Sequence, residues 1–91
     1  MTTSYRFVVA GRVQGVGFRQ ATRHQALKLG LQGWVRNCAD GTVEGWACGS
    51  DAALIALRRW LNSGPPAAQV TQLQWTAASG AAAAPGFRIE R

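Results

Sequence analysis

Glycine and proline cut this chain into segments that are each long enough for one strand or one short helix, and the hydrophobic period changes from segment to segment. Tyr5-Arg6-Phe7-Val8-Val9-Ala10 alternates as a strand does, and Gly11, Gly15 and Gly17 then interrupt it. From Phe18 the period becomes helical. Phe18, Thr22, Gln25, Ala26 and Leu29 recur on one face, and Gly30 supplies a stop, which predicts a helix of about twelve residues.

Leu31 to Cys38 and Thr42 to Cys48 read as two strands of a hairpin around Ala39-Asp40-Gly41. A two-residue loop at Asp40-Gly41 would set Val35 opposite Trp46 and mix the two faces of the pair. A three-residue loop with Gly41 in the left-handed region pairs Trp34 with Trp46 instead, and gathers Val35, Val43 and Ala47 on a common face. The second register is the consistent one.

Ser50 is a plausible N-cap for a second helix whose Leu54, Leu57 and Leu61 share one face, ending near Ser63 before Gly64-Pro65-Pro66. Val70, Leu73 and Trp75 suggest a fourth strand with a bulge, and Phe87 with Ile89 a short last one. The stretch Thr76 to Gly86 reads as a loop in which Ala81 to Ala84 could form one turn of helix. The order is βαββαβ with a short fifth strand. Two helices inserted among these strands cover one face of a mainly antiparallel sheet, which is the ferredoxin-like, two-layer α/β sandwich of the α+β class. The other face, bearing Trp34 and Trp46, is the more exposed.

A chain of 91 residues is one domain, here 1–91. Burying about 64% of its extended surface, it needs neither disulfide nor metal staple. Cys38 and Cys48 form no C-x-x-C pair and read as reduced thiols. No leader pattern and no apolar run near about 18 residues is visible, so a cytoplasmic protein without membrane association is expected. Ten Lys or Arg against four Asp or Glu favour anionic ligands. Asp40, Glu44, Asp51, Glu90 and the lone His24 offer little for a metal site, a paired-carboxylate hydrolase or a Ser-His-Asp triad. No metal and no cofactor is expected.

The densest chemical signal is Gly11-Arg12-Val13-Gln14-Gly15-Val16-Gly17-Phe18-Arg19. Glycines let successive backbone N–H groups converge, and the helix opening behind them adds about half a positive charge. Arg19 in the first turn can add a two-pronged contact to the same anion. A plain strand-to-helix turn with Arg19 in solvent satisfies the same spacing. No Gly-Lys-Ser/Thr follows, so this is not a nucleoside triphosphate loop.

Taken with Gly33-Trp34-Val35-Arg36-Asn37 and Asp40-Gly41-Thr42-Val43, this segment closely resembles the two signature blocks of the acylphosphatase family. The resemblance runs on through Gly49, Trp60-Leu61 and Phe87-Arg88-Ile89, and so covers essentially the whole chain. It implies a ferredoxin-like enzyme that hydrolyses carboxyl-phosphate anhydrides to carboxylate and inorganic phosphate, without metal or covalent intermediate. Motif matching places the family's phosphate-binding arginine on Arg19, its water-positioning asparagine on Asn37, and its phosphate loop on Gln14, Gly15, Val16, Gly17 and Phe18. Inorganic phosphate is then both product and inhibitor. Two positions depart from the family pattern: Cys38 stands where a hydroxyl residue is expected, and Glu90 where a basic residue is common.

The chemistry of the residues agrees with that implication. A carboxylate leaving group needs no general acid, so a chain poor in acids and histidine suffices if it positions water and offsets charge. Taken alone, Asn37 is an ordinary strand-end residue, His24 and Arg58-Arg59 belong to solvated helix faces, and the tryptophans serve packing. RNA recognition shares the topology and suits a basic chain. The strand Thr42 to Gly49 nevertheless carries Glu44 and lacks the Lys/Arg-Gly-Phe/Tyr run, so no nucleic acid is expected. An inactive accessory domain of a carbamoyl-transfer system is disfavoured by intact Arg19 and Asn37. A monomer is expected.

Overall fold

The computed structural model describes residues 3–82 and 84–90. Its elements run β1 (Thr3–Arg12), α1 (Phe18–Lys28), β2 (Gln32–Asn37), β3 (Val43–Gly49), α2 (Asp51–Leu61), β4 (Gln69–Ala78) and β5 (Phe87–Ile89). They build one sheet in the order β4-β1-β3-β2-β5. Every pairing is antiparallel except that of β2 with β5. This is the ferredoxin-like α+β arrangement expected from the order of hydrophobic periods.

Alternation sorts the two faces. Phe7 and Val9 of β1, Val35 of β2, and Val43 and Ala47 of β3 are fully buried on one side of the sheet. Both helices close over that side. Helix α1 contributes Phe18, Thr22 and Ala26, and α2 contributes Ala53, Leu54, Leu57 and Leu61. Each large apolar side chain buried in this layer is worth about 1.5–3 kcal/mol of transfer free energy. Thr22 is tolerated there because its hydroxyl donates to the Phe18 carbonyl one turn earlier, at 2.8 Å.

The hairpin has the register that the three-residue loop requires. Trp34 faces Trp46 and Asn37 faces Val43. The Cys38 amide donates to the Thr42 carbonyl at 2.8 Å, and Gly41 sits at φ 91°, where a side chain would be strained. On the open face Glu44 of β3 is buried between Arg6 of β1 and Arg36 of β2, whose Nη2 lies 2.6 Å from its carboxylate. This bridge ties the three central strands together on the side the helices leave uncovered. The guanidinium of Arg36 also lies 5.4 Å from the centre of the Trp34 ring.

Helix α2 begins as its cap predicts, with the Ser50 hydroxyl accepting from the Ala53 amide at 3.2 Å, but it ends at Leu61, two residues before Ser63. The expected bulge is present: β1 and β4 slip register between Ala10 and Gly11, and Thr71 is the extra residue that lets Val70 and Leu73 share a face. Trp75 lies inside β4, stacked on Tyr5 at 4.9 Å, with Arg58 6.0 Å above its ring. That contact takes Arg58 out of a purely solvated role. Ala81, Ala82 and Ala84 are not helical, and Ala83 lies outside the described residues.

The register keeps the cysteines apart. Cys38 lies beside Thr42 at the loop, whereas Cys48 pairs with Gln32 and Ser4 at the far end of β3. Six residues of strand separate them by about 20 Å, against the about 7 Å that a disulfide tolerates. Unfolded protein should therefore take up two equivalents of a thiol reagent without prior reduction. A mass consistent with an internal Cys38 to Cys48 bond in folded protein would contradict this register.

Candidate active site

Residues 13–17 carry the chain from the end of β1 to the start of α1. Val13 anchors the turn in the core, with 1% of its surface exposed, and Gly15 and Gly17 take φ angles of 75° and 76°. Left-handed glycines of this kind let successive backbone amides converge on one side of a loop. The helix behind them is open at its start: Gly17 caps α1 with no side-chain hydrogen bond, and no acid lies in the first turn. Helix α2 has both a Ser50 cap and Asp51 in its first turn. Only α1 therefore leaves its positive end for an external anion.

That end opens into a cleft of about 600 Å³. Gly15, Gly17, Phe18, Arg19 and Gln20 form one wall, Asn37 stands at the end of β2, and Val13, Ile89 and Glu90 complete the lining. Among the described residues, no side-chain hydrogen bond or ion pair engages Arg19. The Asn37 Oδ1 is buried and has no hydrogen-bond partner among the described residues. A buried amide oxygen left in that state costs about 1–3 kcal/mol.

The sequence-derived residues divide into two groups. Gly15, Gly17, Phe18, Arg19 and Asn37 meet in the cleft, whereas Gln14 and Val16 do not line it. Val16 packs half-buried against the core. The Gln14 side chain reaches the hairpin instead: its Nε2 donates to the Cys38 carbonyl at 2.8 Å and to the Thr42 carbonyl at 2.9 Å. One amide thus joins the glycine loop to the two ends of the hairpin turn, directly beside Asn37. A polar residue in a glycine loop gives no sequence signal of such a contact. Ile89, Gln20 and Glu90 were also not picked out as lining residues, because only the β5 pairing and the helix start bring them to the cleft.

The hairpin has an internal brace as well. The Asp40 carboxylate accepts from the Thr42 hydroxyl at 2.6 Å and from its amide at 3.0 Å, and these bonds hold its pKa below the ordinary aspartate range. A depressed carboxylate contributes stability above its unfolded pKa and loses it as pH falls through the folded one. The brace is therefore complete at neutral pH. Among the described residues, no three His, Cys, Asp or Glu side chains gather as metal ligands. Among the described residues, no helix is long and apolar enough to cross a membrane.

The family model for acylphosphatase matches residues 5–89. The chain belongs to the acylphosphatase family. It is 50% identical over 86 residues to the acylphosphatase of Actinobacillus succinogenes, covering 94% of this chain and 96% of that one. It is 58% identical over 72 residues to the acylphosphatase of Xanthomonas euvesicatoria, covering 79% and 82% of the two chains. The crystal structure of acylphosphatase from Bacillus subtilis superposes with a TM-score of 0.92 at 38% identity and covers 100% of both chains.

The Gln14 contact is testable apart from chemistry. Gln14→Ala removes two neutral hydrogen bonds and should cost about 1–2 kcal/mol in urea unfolding, with kcat reduced more than substrate affinity. An unchanged unfolding midpoint together with an unchanged kcat would show that the loop and hairpin hold their spacing without it.

Proposed function

We propose that the cleft hydrolyses the carboxyl-phosphate bond of acyl phosphates without a metal ion, with Arg19 and the loop amides holding the phosphoryl group and Asn37 directing the water. Membership of the acylphosphatase family supplies the reaction class, since an acylphosphatase is a hydrolase of acyl phosphates. The observation that carries the residue roles is the meeting of Asn37, the uncapped start of α1 and Arg19 in one cleft.

In this reading the phosphoryl oxygens accept from backbone amides of Gly15, Gly17 and Phe18, which line the cleft, and from the Arg19 guanidinium. Helix α1 adds its positive end. These donors are fixed before the substrate arrives, so they stabilise the charge on the equatorial oxygens without reorganising. A water held by the Asn37 side-chain amide keeps a lone pair free for phosphorus. Its oxygen forms the new P–O bond while the bond to the acyl oxygen breaks, and the carboxylate leaves with the electron pair. The water's proton passes to a phosphate oxygen, which leaves inorganic phosphate in the cradle as product and competitive inhibitor. No side-chain acid is required, because a carboxylate is stable as it departs. One copy of the chain supplies every group named.

The direct test is hydrolysis of benzoyl phosphate or acetyl phosphate with and without a chelator. Equal rates are expected, and no hydrolysis in either condition would refute the reading. Arg19→Ala loses charge-assisted contacts worth about 3–5 kcal/mol, so kcat/KM should drop by about 10² to 10⁴ and phosphate inhibition should weaken. Retention of more than about half of kcat/KM would remove Arg19 from the machinery.

Asn37→Ala should behave differently. A group that positions water and does not hold substrate should cost about 10² to 10³ in kcat with phosphate inhibition nearly unchanged. If the inhibition constant rose as far as in the Arg19 variant, Asn37 would be an anion ligand.

A further inference from the structure

The sheet face that the helices leave uncovered carries a row of four side chains set by strand register. Arg6 of β1 stands opposite Trp46 of β3, Trp46 opposite Trp34 of β2, and Trp34 opposite Arg88 of β5. Two indoles thus lie side by side with a guanidinium at each end, and three strand spacings separate those ends by about 14 Å. Both indoles are half-buried, while the Arg6 and Arg88 side chains are 57% and 40% exposed. Arg36, in the next row, brings a third guanidinium to 5.4 Å from the centre of the Trp34 ring.

A groove of about 260 Å³ opens against the indole pair. Trp34, Trp46 and Arg88 line it together with Ala81, Ala82 and Ala84 from the connection between β4 and β5. It is smaller than the about 300–1,000 Å³ of a drug-sized site and suits a single flat ring system. The acids on this face do not cancel its cations. Glu44 is buried between Arg6 and Arg36, one carboxylate against two guanidiniums, and the half-exposed pair of Arg88 with Glu90 costs little to open. The whole chain carries a net charge of +6. Aromatic surface interleaved with arginine is the chemistry that takes stacked bases and a phosphate backbone. We propose that this face binds single-stranded nucleic acid, with bases stacked on Trp34 and Trp46 and phosphates held by Arg6, Arg36 and Arg88. The strand Thr42 to Gly49 lacks the run that marks RNA recognition because the aromatic pair is assembled here from two strands, one indole from each, and only their register joins them. The surface shares no residue with Arg19, Asn37 or the glycine loop, so it stands apart from the hydrolytic reading.

The probe is a dye-labelled, single-stranded oligothymidylate of about eight nucleotides, followed by fluorescence anisotropy beside a duplex of the same length. Wild type should bind the single strand at low salt and the duplex more weakly, because paired bases stay stacked on one another. The logarithm of Kd should rise with that of salt concentration with a slope of about 2, from three phosphate contacts at about 0.7 each. Trp34→Leu and Trp46→Leu should each weaken binding about five- to a hundredfold, the loss expected for one stacked base, with benzoyl phosphate hydrolysis unchanged. Trp46→Phe keeps a ring and should stay within about threefold of wild type. Arg88→Gln should lower the salt slope by about 0.7. Excess inorganic phosphate at constant ionic strength should leave the oligonucleotide bound.

Wild type that leaves the single strand unbound at low salt overturns the proposal. Equal binding of single strand and duplex with both leucine variants unimpaired also overturns it, since that marks the attraction of a basic chain for any polyanion. Displacement by inorganic phosphate would place the oligonucleotide in the cleft and overturn it too. If a leucine variant lost hydrolysis as well, through misfolding, Arg88→Gln decides: an unchanged salt slope there removes the arginine row and the proposal with it. Oligonucleotide binding by a protein that hydrolyses no acyl phosphate would remove the hydrolytic reading alone, and hydrolysis without oligonucleotide binding would remove this inference alone.

Discussion

The two halves of the cleft come from parts of the chain that share no strand pairing, and the Gln14 side chain joins them. Its single Nε2 reaches the carbonyls of Cys38 and Thr42, the residues that open and close the hairpin turn. In the proposed mechanism, an anion cradle on one element and a water-directing amide on another are useful only at a fixed separation, since misplacement by about 1 Å can cost about a hundredfold in rate. The sheet places Asn37 at the end of β2, and the core places the glycine loop behind β1. Gln14 sets the remaining distance between them, and its two bonds lie on the hairpin side of the loop, clear of the anion site.

The surrounding fold makes that join possible by leaving few other demands on the same groups. In α2 the Ala53 amide is served by the Ser50 hydroxyl, and the hairpin amide of Thr42 is served by Asp40. At α1 no side chain caps the start, and Gly17, Phe18, Arg19 and Gln20 line the cleft. The acids of the chain are used in the same economical way. Glu44 is enclosed by Arg6 and Arg36 on the open face, Asp51 accepts from the Thr3 hydroxyl at 2.8 Å, and Glu90 is bound to Arg88. Arg19 is thereby left with no carboxylate partner among the described residues, and the local field favours an incoming dianion.

Most of the fold was readable because each element carries its own stop signal. The hairpin register followed from requiring Val35, Val43 and Ala47 to share a face, and the β4 bulge from the odd spacing of Val70 and Leu73. Helix ends were less exact: Ser63 lies beyond the observed α2, although its amide still bonds to the Trp60 carbonyl. The alanine run misleads because propensity favours helix there, while Gly80, Pro85 and Gly86 bound a segment that must cross to the parallel edge strand. At the site, Arg19 and Asn37 were legible through the two motifs. The reach of Gln14, the wall formed by Ile89 and Glu90, and the stacking of Arg58 over Trp75 depend on tertiary placement that no local pattern encodes.

The bulge in β4 has a bearing on solubility. β4 is an edge strand of ten residues, and its sequence QVTQLQWTAA contains no Lys, Arg, Asp, Glu or Pro. Those are the residues that proteins commonly place on a free edge to discourage another chain from pairing with it. What interrupts the row of unpaired backbone groups here is the register slip at Thr71, which kinks and twists the strand. The molecule thus guards its longest open edge by backbone shape and not by charge. A change that straightened this strand would expose a continuous template for intermolecular sheet while leaving the catalytic end of the sandwich untouched.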